Sequence, residues 1–349
     1  MSKDRRAATK DIFLKVLRTS ASLQLPEDSI HAAAVTIGNF DGCHRGHREL
    51  IGVTRKLAQT RGLASVVLTF DPNPKQFFQP QKPFGKLFKA EQKLRALQEL
   101  GIDMVIVQSF DAAFSQLSPR AFYQQLLRDK VHAQAVIVGE DFCFGAQREG
   151  NLSTLKSLAS EFGAEVLAIH QQDFEGQVVS SSGIRRLLME RNIKLANDLL
   201  GRPYLIEGEV LSGKKLGRSI GFPTANLEWG DQLLPGLGVY AGFAHLGEAA
   251  PILQLDTGVI PCILNIGLRP TVDQPSLVPK VEVHLLEGEY PTEGLYGQKI
   301  GVYLTNFIRA EKRFESIDAL KQQISRDCDE ARVQLMQARL RWLKALADR

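Results

Sequence analysis

The sequence predicts an α/β protein of two domains, a doubly wound parallel sheet followed by an antiparallel β-barrel with a closing helix. In the first part of the chain, short apolar runs alternate with helical segments, a rhythm typical of a mostly parallel sheet. After about residue 200 this rhythm stops, and short strands split by Gly and Pro turns follow. We therefore predict one domain over residues 1–200 and a second over residues 201–349.

Each element of the first domain follows from a local pattern. The run ASVVLTF at residues 64–70 is continuously apolar, as expected of a strand that is buried on both faces. The first 25 residues predict a short helix that leads into the first strand. The predicted strands are 34–37, 64–70, 104–108, 135–138 and 165–169, and the predicted helices are 48–59, 89–100, 119–128 and 152–162.

In the second domain the apolar residues alternate, which indicates strands with one buried face. The predicted strands are 206–211, 238–244, 262–266, 281–286 and 300–304. Near the C-terminus the apolar positions recur every three to four residues, so a helix is predicted to close one side of the barrel. Its predicted face consists of Leu320, Ile324, Cys328, Ala331 and Leu335.

Composition excludes several classes of protein. The 43 basic and 39 acidic residues leave a net charge of +4, too small and too scattered to indicate nucleic-acid binding. The four cysteines lie far apart, which disfavours a zinc site or a disulfide framework and fits a reducing cytoplasm. No apolar run approaches the roughly 18 residues that span a bilayer, so no membrane is expected. The sequence leaves open whether the protein forms a homo-oligomer.

The stretch AVTIGNFDGCHRGHR at residues 34–48 predicts a strand, a tight turn and a helix start. His44 and His47 are three residues apart, which places both imidazoles on one helix face. Free N–H groups at a helix N-terminus suit phosphate. Two surface histidines after a turn are the alternative.

A second candidate phosphate site is VSSSGIRRLL at residues 179–188, where three hydroxyls precede a short apolar-periodic helix. Serine at a helix N-cap is common for stability alone. Hydroxyls, backbone N–H groups and the Arg185 guanidinium are equally suited to hold an anion. Both interpretations stay open from the residues alone.

Three motifs carry a resemblance. G-N-F-D-G-x-H-x-G-H at 38–47 and S-S-S-x-I-R at 180–185 resemble the nucleotidyltransferase superfamily, and V-G-E-D-F-C-F-G-A-Q-R-E-G at 138–150 resembles the bacterial bifunctional riboflavin kinase/FAD synthetase family. The resemblance implies that ATP binds over the first turn and that FMN attacks its α-phosphate. No G-x-x-x-x-G-K-[ST] sequence is present, so the phosphates are not expected to bind to a P-loop.

The resemblance also implies roles for individual residues. The imidazoles would donate to phosphate oxygens, the serines and arginine would hold the β- and γ-phosphates, and the remaining residues would shape the turn or line the flavin or nucleotide side. The implied catalytic residues are His44, His47, Ser181, Ser182 and Arg185, and the implied binding residues are Gly38, Asn39, Asp41 and Asp141. Two positions depart from the family pattern: Ser182 replaces a threonine, and Asn73 replaces a histidine.

In the second domain, Thr224 and Asn226 stand two apart on an extended stretch, so both hard oxygen ligands point to one side. Three glycines lie around Lys214, Lys215 and Arg218, which indicates either a phosphate-cradling flap or a solvated turn; these glycines are Gly213, Gly217 and Gly221. Glu282, in V-E-V-H, is either a solvent-facing residue or a general base.

G-F-P-T-A-N at 221–226, N-I-G-x-R-P-T at 265–271, V-E-V-H at 281–284 and L-Y-G at 295–297 resemble the riboflavin kinase module. This resemblance implies that Thr224 and Asn226 hold Mg²⁺ on ATP and that Glu282 accepts the proton of the ribityl hydroxyl. His284 is expected to be structural. Gly294 stands where the family often has an acidic residue.

The sequence thus predicts a bifunctional enzyme with riboflavin, FMN and ATP as substrates. Three alternatives remain. A kinase-only protein would retain the barrel chemistry while the first domain is impaired, which Asn73 would allow. A nucleotidyltransferase acting on another substrate would share the first turn and the serines. A non-enzymatic protein, a nucleic-acid-binding or regulatory flavin-binding module, would show a basic surface with aromatic residues, and the sequence shows no such clustering.

Overall fold

The structure is a computed structural model that describes residues 14–19, 30–212, 220–247, 249–253, 258–271, 274–288 and 292–347. The chain forms two compact units. The first unit consists of residues 1–84 and 93–173, and the second of residues 85–92 and 174–349.

The first unit is a six-stranded parallel sheet in the order β1-β4-β3-β2-β5-β6, with helices between successive strands from β2 onward. Its strands are β1 (Lys15–Thr19), β2 (Ala33–Ile37), β3 (Ala64–Asp71), β4 (Met104–Ser109), β5 (Ala133–Gly139) and β6 (Glu165–Ile169). Its helices are α1 (Arg45–Arg61), α2 (Pro74–Phe78), α3 (Ala90–Glu99), α4 (Ala112–Ser115), α5 (Pro119–Phe122, continued by a π-helical turn at Tyr123–Arg128) and α6 (Leu152–Glu161).

Both faces of this sheet are buried, because the central strands carry apolar residues at consecutive positions. On β2, Val35 and Ile37 face one apolar cluster, whereas Ala34 faces a smaller cluster that includes Ala58 of α1. The same division holds along β5, where Val136 faces the first cluster. The predicted parallel sheet is confirmed.

The prediction of a helix near the N-terminus is wrong for residues 15–19. These residues form β1, which pairs in parallel with β4 from Lys15↔Met104 to Thr19↔Gln108. The free edge of β4 offers backbone hydrogen bonds that a short helix would not satisfy. The buried bond from Thr19 Oγ1 to Gln108 Oε1, at 2.7 Å, adds a side-chain contact to this pairing.

The second unit contains a closed antiparallel barrel in the order β10-β13-β12-β11-β14-β9, which confirms the predicted architecture. A short hairpin (β7, Asp173–Phe174; β8, Gln177–Val178) and two helices (α7, Ser181–Met189; α8, Ile193–Leu200) precede the barrel in the chain. The barrel strands are β9 (Tyr204–Leu211), β10 (Ala225–Glu228), β11 (Gly238–Leu246), β12 (Ile260–Thr271), β13 (Gln274–Leu285) and β14 (Lys299–Arg309).

The closing helix is α9, Ile317–Ala347. It packs on β11, β12 and β14. Cys328, Ala331 and Leu335 of its predicted face are buried, and Ala338 extends that face. The apolar face that the periodicity of the tail predicts therefore covers one side of the barrel.

Residues 174–200 belong to the compact unit of the barrel, although the predicted domain boundary lies after residue 200. The reason is packing: Leu199 and Leu200 of α8 join the barrel core, and Asn197 Nδ2 donates to the Leu304 carbonyl at 2.8 Å. The functional boundary between residues 200 and 201 stays a prediction.

Among the helices that the structure describes, none combines the length and the apolar character needed to cross a membrane.

The barrel leaves no room for a side chain at Gly208 of β9. A Cβ there would lie 2.3 Å from the Glu228 carbonyl oxygen of the neighbouring backbone. We expect Gly208→Ala to lower the free energy of unfolding of this unit by about 1–3 kcal/mol, as overpacking does. Urea denaturation followed by tryptophan fluorescence measures this free energy of unfolding, since both tryptophans (Trp229 and Trp342) lie in this unit.

Gly294→Ala is the matched control, because a Cβ at Gly294 meets nothing within 4 Å. It should unfold like the parent chain. Equal stability of the two variants would contradict the close approach of β9 and β10.

Candidate active sites

The first candidate site lies at the carboxyl ends of β2, β3 and β5, which are neighbours in the sheet. From β2 the chain builds outward through β3 and β4, and it then crosses back to place β5 on the other side of β2. Such a reversal of strand order opens a crevice in which ligands of α/β sheets bind. The segments 38–47, 71–74 and 139–145 lie at the ends of these three strands.

The turn after β2 depends on its glycines. Gly42 has φ +83°, which an L side chain rarely adopts. A Cβ at Gly38 would lie 3.2 Å from Cζ of Phe40, whose ring is fully buried. Phe40 itself has φ +49°, so the turn holds a non-glycine residue in the left-handed region. Asp41 is buried within the turn, and its role in shaping the turn stays a prediction.

His44 is the N-cap of α1. Its Nδ1 accepts the backbone N–H of His47 at 3.3 Å, so a neutral His44 ring carries its proton on Nε2. The two imidazoles stack with ring centroids 3.6 Å apart and planes 14° apart. The structure therefore brings the two predicted histidines into contact at the start of a helix.

Burial, the neighbouring His44 and Lys93 together lower the pKa of His47 well below its ordinary value of 6.5. His47 is thus neutral at physiological pH. Within the described part of the chain, its buried Nδ1 has no hydrogen-bond partner, and neither has the buried Oδ1 of Asn39. Buried polar atoms are normally paired, so these two atoms are suited to a ligand.

The segments after β3 and β5 carry Asn73 and Asp141, which have different surroundings. Asn73 caps α2, because its Oδ1 accepts the Lys75 N–H at 3.0 Å. Asp141 is exposed after β5, and the absence of a Cβ at Gly139 makes room for its carboxylate.

Phenylalanine rings form a chain of edge contacts beside these loops. The ring centroid of Phe110, which follows β4, lies 5.4 Å from that of Phe77 and 5.7 Å from that of Phe78 in α2. Phe110 also contacts Phe70 at the end of β3 and Phe114 of α4. Phe78 is 62% exposed, an unusual position for a large apolar ring.

The serine motif lies in the second unit, so its predicted phosphate site shared with the histidines stays a prediction. Ser180 is the N-cap of α7, and its Oγ accepts the Gly183 N–H at 3.1 Å. Ser181 and Ser182 therefore begin the helix instead of preceding it, and Arg185 falls in the second turn. The Arg185 Nε donates to the Gly85 carbonyl at 2.8 Å, which fixes the guanidinium.

The second candidate site is a row of polar residues across three barrel strands. Glu282 of β13 is directly opposite Asn226 of β10 and Asn265 of β12. Directly opposed residues share a face of a sheet, and here the alternate residues Val281 and Val283 fill the barrel core. The three polar side chains thus lie together on the outer face, each partly exposed.

Two neighbours orient this row. Lys280, two residues before Glu282 on the same face, forms a close ion pair with its carboxylate. His284 Nδ1 donates to the Pro223 carbonyl at 2.7 Å and so holds the segment that carries Thr224. Burial lowers the pKa of His284. The expected structural role of His284 agrees with this bond.

Thr224 and Asn226 fit a magnesium ion chemically. Both offer neutral oxygen ligands, and the Oδ1 of Asn226 is buried without a hydrogen-bond partner among the described residues. In that part of the chain, no group of three or more His, Cys, Asp or Glu side chains is placed to hold a metal ion. Kinases usually bind Mg²⁺ through one or two carboxylates together with the substrate phosphates, and the carboxylate-bearing Glu282 is paired with Asn226 across the strands.

The predicted glycine flap is only partly described. Gly213 and Gly217 lie outside the described residues. Gly221 has φ +89° and is exposed, so a glycine is required there by the backbone.

The sequence matches two family models in succession. The FAD synthetase model matches residues 27–183, and the riboflavin kinase model matches residues 200–335. The bifunctional riboflavin kinase/FMN adenylyltransferase of Escherichia coli K12 is 38% identical over 315 residues, which cover 90% of this chain and 96% of that protein. The chain belongs to the bifunctional riboflavin kinase/FMN adenylyltransferase family.

Further relatives agree with this assignment. The Haemophilus influenzae member of the family is 36% identical over 303 residues, which cover 87% of this chain and 94% of that protein. A crystal structure from Streptococcus pneumoniae, described as a macrolide-efflux protein, is 27% identical with a TM-score of 0.78 and covers 90% of this chain and 99% of that one. The family pairs kinase with adenylyltransferase activity, and this chain carries the matching domain of each.

Sequence reasoning missed three residues of these sites. Asn265 belongs to a motif that was recognised, but its place opposite Glu282 depends on strand register. Lys280 could have been found from its spacing of two before Glu282. Lys93, on α3, has no local sequence signal, since only the fold brings it to His47.

The depressed pKa of His47 predicts a pH-dependent stability for this family member. Below its ordinary pKa of 6.5, the unfolded chain protonates His47 while the folded chain does not. Acidification therefore favours unfolding, by up to about 1.4 kcal/mol for each pH unit from this one proton. Chemical denaturation between neutral pH and about pH 5.5 should show a shallower loss of stability for His47→Gln than for the parent chain.

His31→Gln, at an exposed histidine, is the control and should keep the parent pH dependence. A pH dependence of His47→Gln equal to that of the parent would show that His47 titrates normally in the folded chain.

Proposed function

We propose that the first unit transfers the AMP part of ATP to FMN and that the barrel phosphorylates riboflavin to give FMN. The observation that carries the first assignment is the stacked pair His44 and His47, with His47 held neutral by burial, at the start of α1 beside the crevice between β2 and β5. The row of Asn226, Glu282 and Asn265 supports the second.

In the adenylyl transfer, a phosphate oxygen of FMN attacks the α-phosphorus of ATP. The bond from that phosphorus to the β-phosphate oxygen breaks, and pyrophosphate leaves with the electron pair. No proton is removed from the nucleophile, since the FMN phosphate is already anionic. The enzyme's contribution is then positioning and stabilisation of charge, with the imidazole N–H groups donating to phosphate oxygens.

We assign the flavin ring of FMN to the phenylalanine cluster. An isoalloxazine ring is a broad aromatic surface, and exposed Phe78 with Phe77 and Phe110 offers aromatic faces and edges at the carboxyl end of the sheet. Exposed Asp141 would border the same crevice after β5.

The α7 residues are assigned to the β- and γ-phosphates of ATP. Ser181 and Ser182 occupy the first turn of the helix, where backbone N–H groups lack helical partners. The guanidinium of Arg185, fixed by the Gly85 carbonyl, supplies the charge. Hydroxyl chemistry is kept where Ser182 replaces threonine.

In the barrel, Thr224 and Asn226 would hold Mg²⁺, which neutralises charge on the ATP phosphates when bound. Glu282 accepts the proton of the terminal ribityl hydroxyl as its oxygen attacks the γ-phosphorus, and ADP leaves with the electron pair of the broken bond. Gly213, Gly217 and Gly221 would cradle the phosphates. None of the four cysteines, all of which lie among the described residues, forms a disulfide, which supports a reducing, cytoplasmic location.

One observation favours a second candidate, a kinase-only protein: Asn73 uses its side-chain oxygen as a helix cap and cannot carry positive charge. Incubation of the pure chain with riboflavin and Mg²⁺-ATP, followed by chromatography, separates the two. We expect both FMN and FAD. Accumulation of FMN without FAD would leave the kinase-only function.

The double variant His44→Ala, His47→Ala should lower FAD formation from FMN by more than about 100-fold, because it removes two donors to the phosphates. Riboflavin phosphorylation should continue at the parent rate, and His31→Ala should resemble the parent in both assays. FAD formation that survives in the double variant would place the adenylyl transfer elsewhere.

Glu282→Gln should lower riboflavin phosphorylation by about 100-fold or more, since the amide cannot accept the hydroxyl proton. FMN adenylylation should remain intact. Glu209→Gln, at an exposed carboxylate of β9, is the control with unchanged activity. Loss of both reactions in Glu282→Gln would mean that the residue is structural.

A further inference from the structure

Helix α3 brings a lysine to the base of the histidine turn. Lys93 Nζ donates to Thr69 Oγ1 at 3.3 Å, near the carboxyl end of β3. Thr69 Oγ1 in turn donates to the backbone carbonyl of Asn39 at 3.3 Å. Thr69 is fully buried and Lys93 is partly buried, so the ammonium group is attached to the turn by a defined pair of bonds.

Two independent observations place this charge beside an incomplete polar site. Lys93 is one of the causes that lower the pKa of His47. On the same turn, Asn39 Oδ1 and His47 Nδ1 are buried without hydrogen-bond partners in the described part of the chain. A cation next to unsatisfied polar atoms at a sheet crevice is an arrangement that an anionic ligand would complete.

The chemistry of the site leaves a role for such a cation. His47 is neutral, so it donates a hydrogen bond to phosphate but supplies no positive charge. Adenylyl transfer brings an anionic phosphate up to a triphosphate, and the leaving pyrophosphate gains further charge. An ammonium group on a flexible stem is suited to follow that charge without losing its proton.

We propose that Lys93 binds the phosphate groups of the reacting nucleotide, beside His44 and His47, as a further catalytic residue of the adenylyl transfer. This inference rests on the proposed function of the first unit. The lysine forms no covalent bond and stays protonated throughout: the phosphorus–oxygen bond to FMN forms, the bond to pyrophosphate breaks, and the ammonium group stabilises the oxygens that carry the charge.

The test compares Lys93→Met and Lys93→Arg in the full chain. Lys93→Met should lower kcat/KM for FAD formation from FMN by roughly ten- to 100-fold, the value of a lost charged hydrogen bond, and Lys93→Arg should restore most of it. Riboflavin phosphorylation should be unchanged in both. The control is Lys56→Met, at an exposed lysine of α1, which should match the parent in both assays.

A readout other than activity separates a phosphate contact of Lys93 from a purely structural role. NMR titration should show a higher pKa of His47 in Lys93→Met, since a neighbouring positive charge is removed while the ring stays buried. Parent-like FAD formation by Lys93→Met would overturn the proposal. An equal loss in Lys93→Arg with a lowered melting temperature would overturn it as well.

Binding of inorganic pyrophosphate tests the phosphate contact of Lys93 independently of the proposed function. Calorimetry should show at least about tenfold weaker binding to Lys93→Met than to Lys56→Met. If the parent chain makes no FAD, the proposed function fails, and the phosphate contact of Lys93 is still judged here. Equal affinities of the two variants would overturn it.

Discussion

The hydrogen bond from the His47 backbone N–H to His44 Nδ1 is the contact on which the first site depends. It begins α1, and it also fixes the orientation of the His44 ring. Stacking then fixes His47 against the same ring. A single cap therefore sets the position of both donors, provided that the chain makes its turn within the residues between Gly38 and His44. The positive φ values of Phe40 and Gly42 make that turn short enough.

Burial of this turn determines how charge is distributed in the site. A buried imidazole loses affinity for its proton, and a second imidazole stacked on it adds to that effect. His47 is consequently suited to donate hydrogen bonds, whereas charge has to come from a side chain with a much higher ordinary pKa, such as Lys93. The barrel shows the complementary case, where the Glu282 carboxylate lies half-exposed and paired with Lys280.

The sequence predicted most of the fold, because buried parallel strands are continuous apolar runs and the barrel strands alternate. It failed at β1, where pairing with the edge of β4 decides the structure of a polar pentapeptide. The two histidines were found because they stand three residues apart at the start of a helix. Asn265 and Lys93 were not, since strand register and helix packing bring them to Glu282 and His47 from distant parts of the chain. Asn73 was identified as a departure, but its capping role needed the start of α2.

The two reactions attack different phosphorus atoms of ATP with nucleophiles of different charge, and the two sites differ accordingly. The ribityl hydroxyl is neutral and has to lose a proton, so its reaction calls for a base, which is the role proposed for Glu282. The FMN phosphate needs no base, but it approaches another anion, so donors and cations are required instead. A buried, neutral imidazole such as that of His47 can donate a hydrogen bond to a phosphate oxygen, and a cation beside it supplies the charge. This difference in nucleophile explains why one chain carries two chemically distinct ATP sites instead of using one site twice.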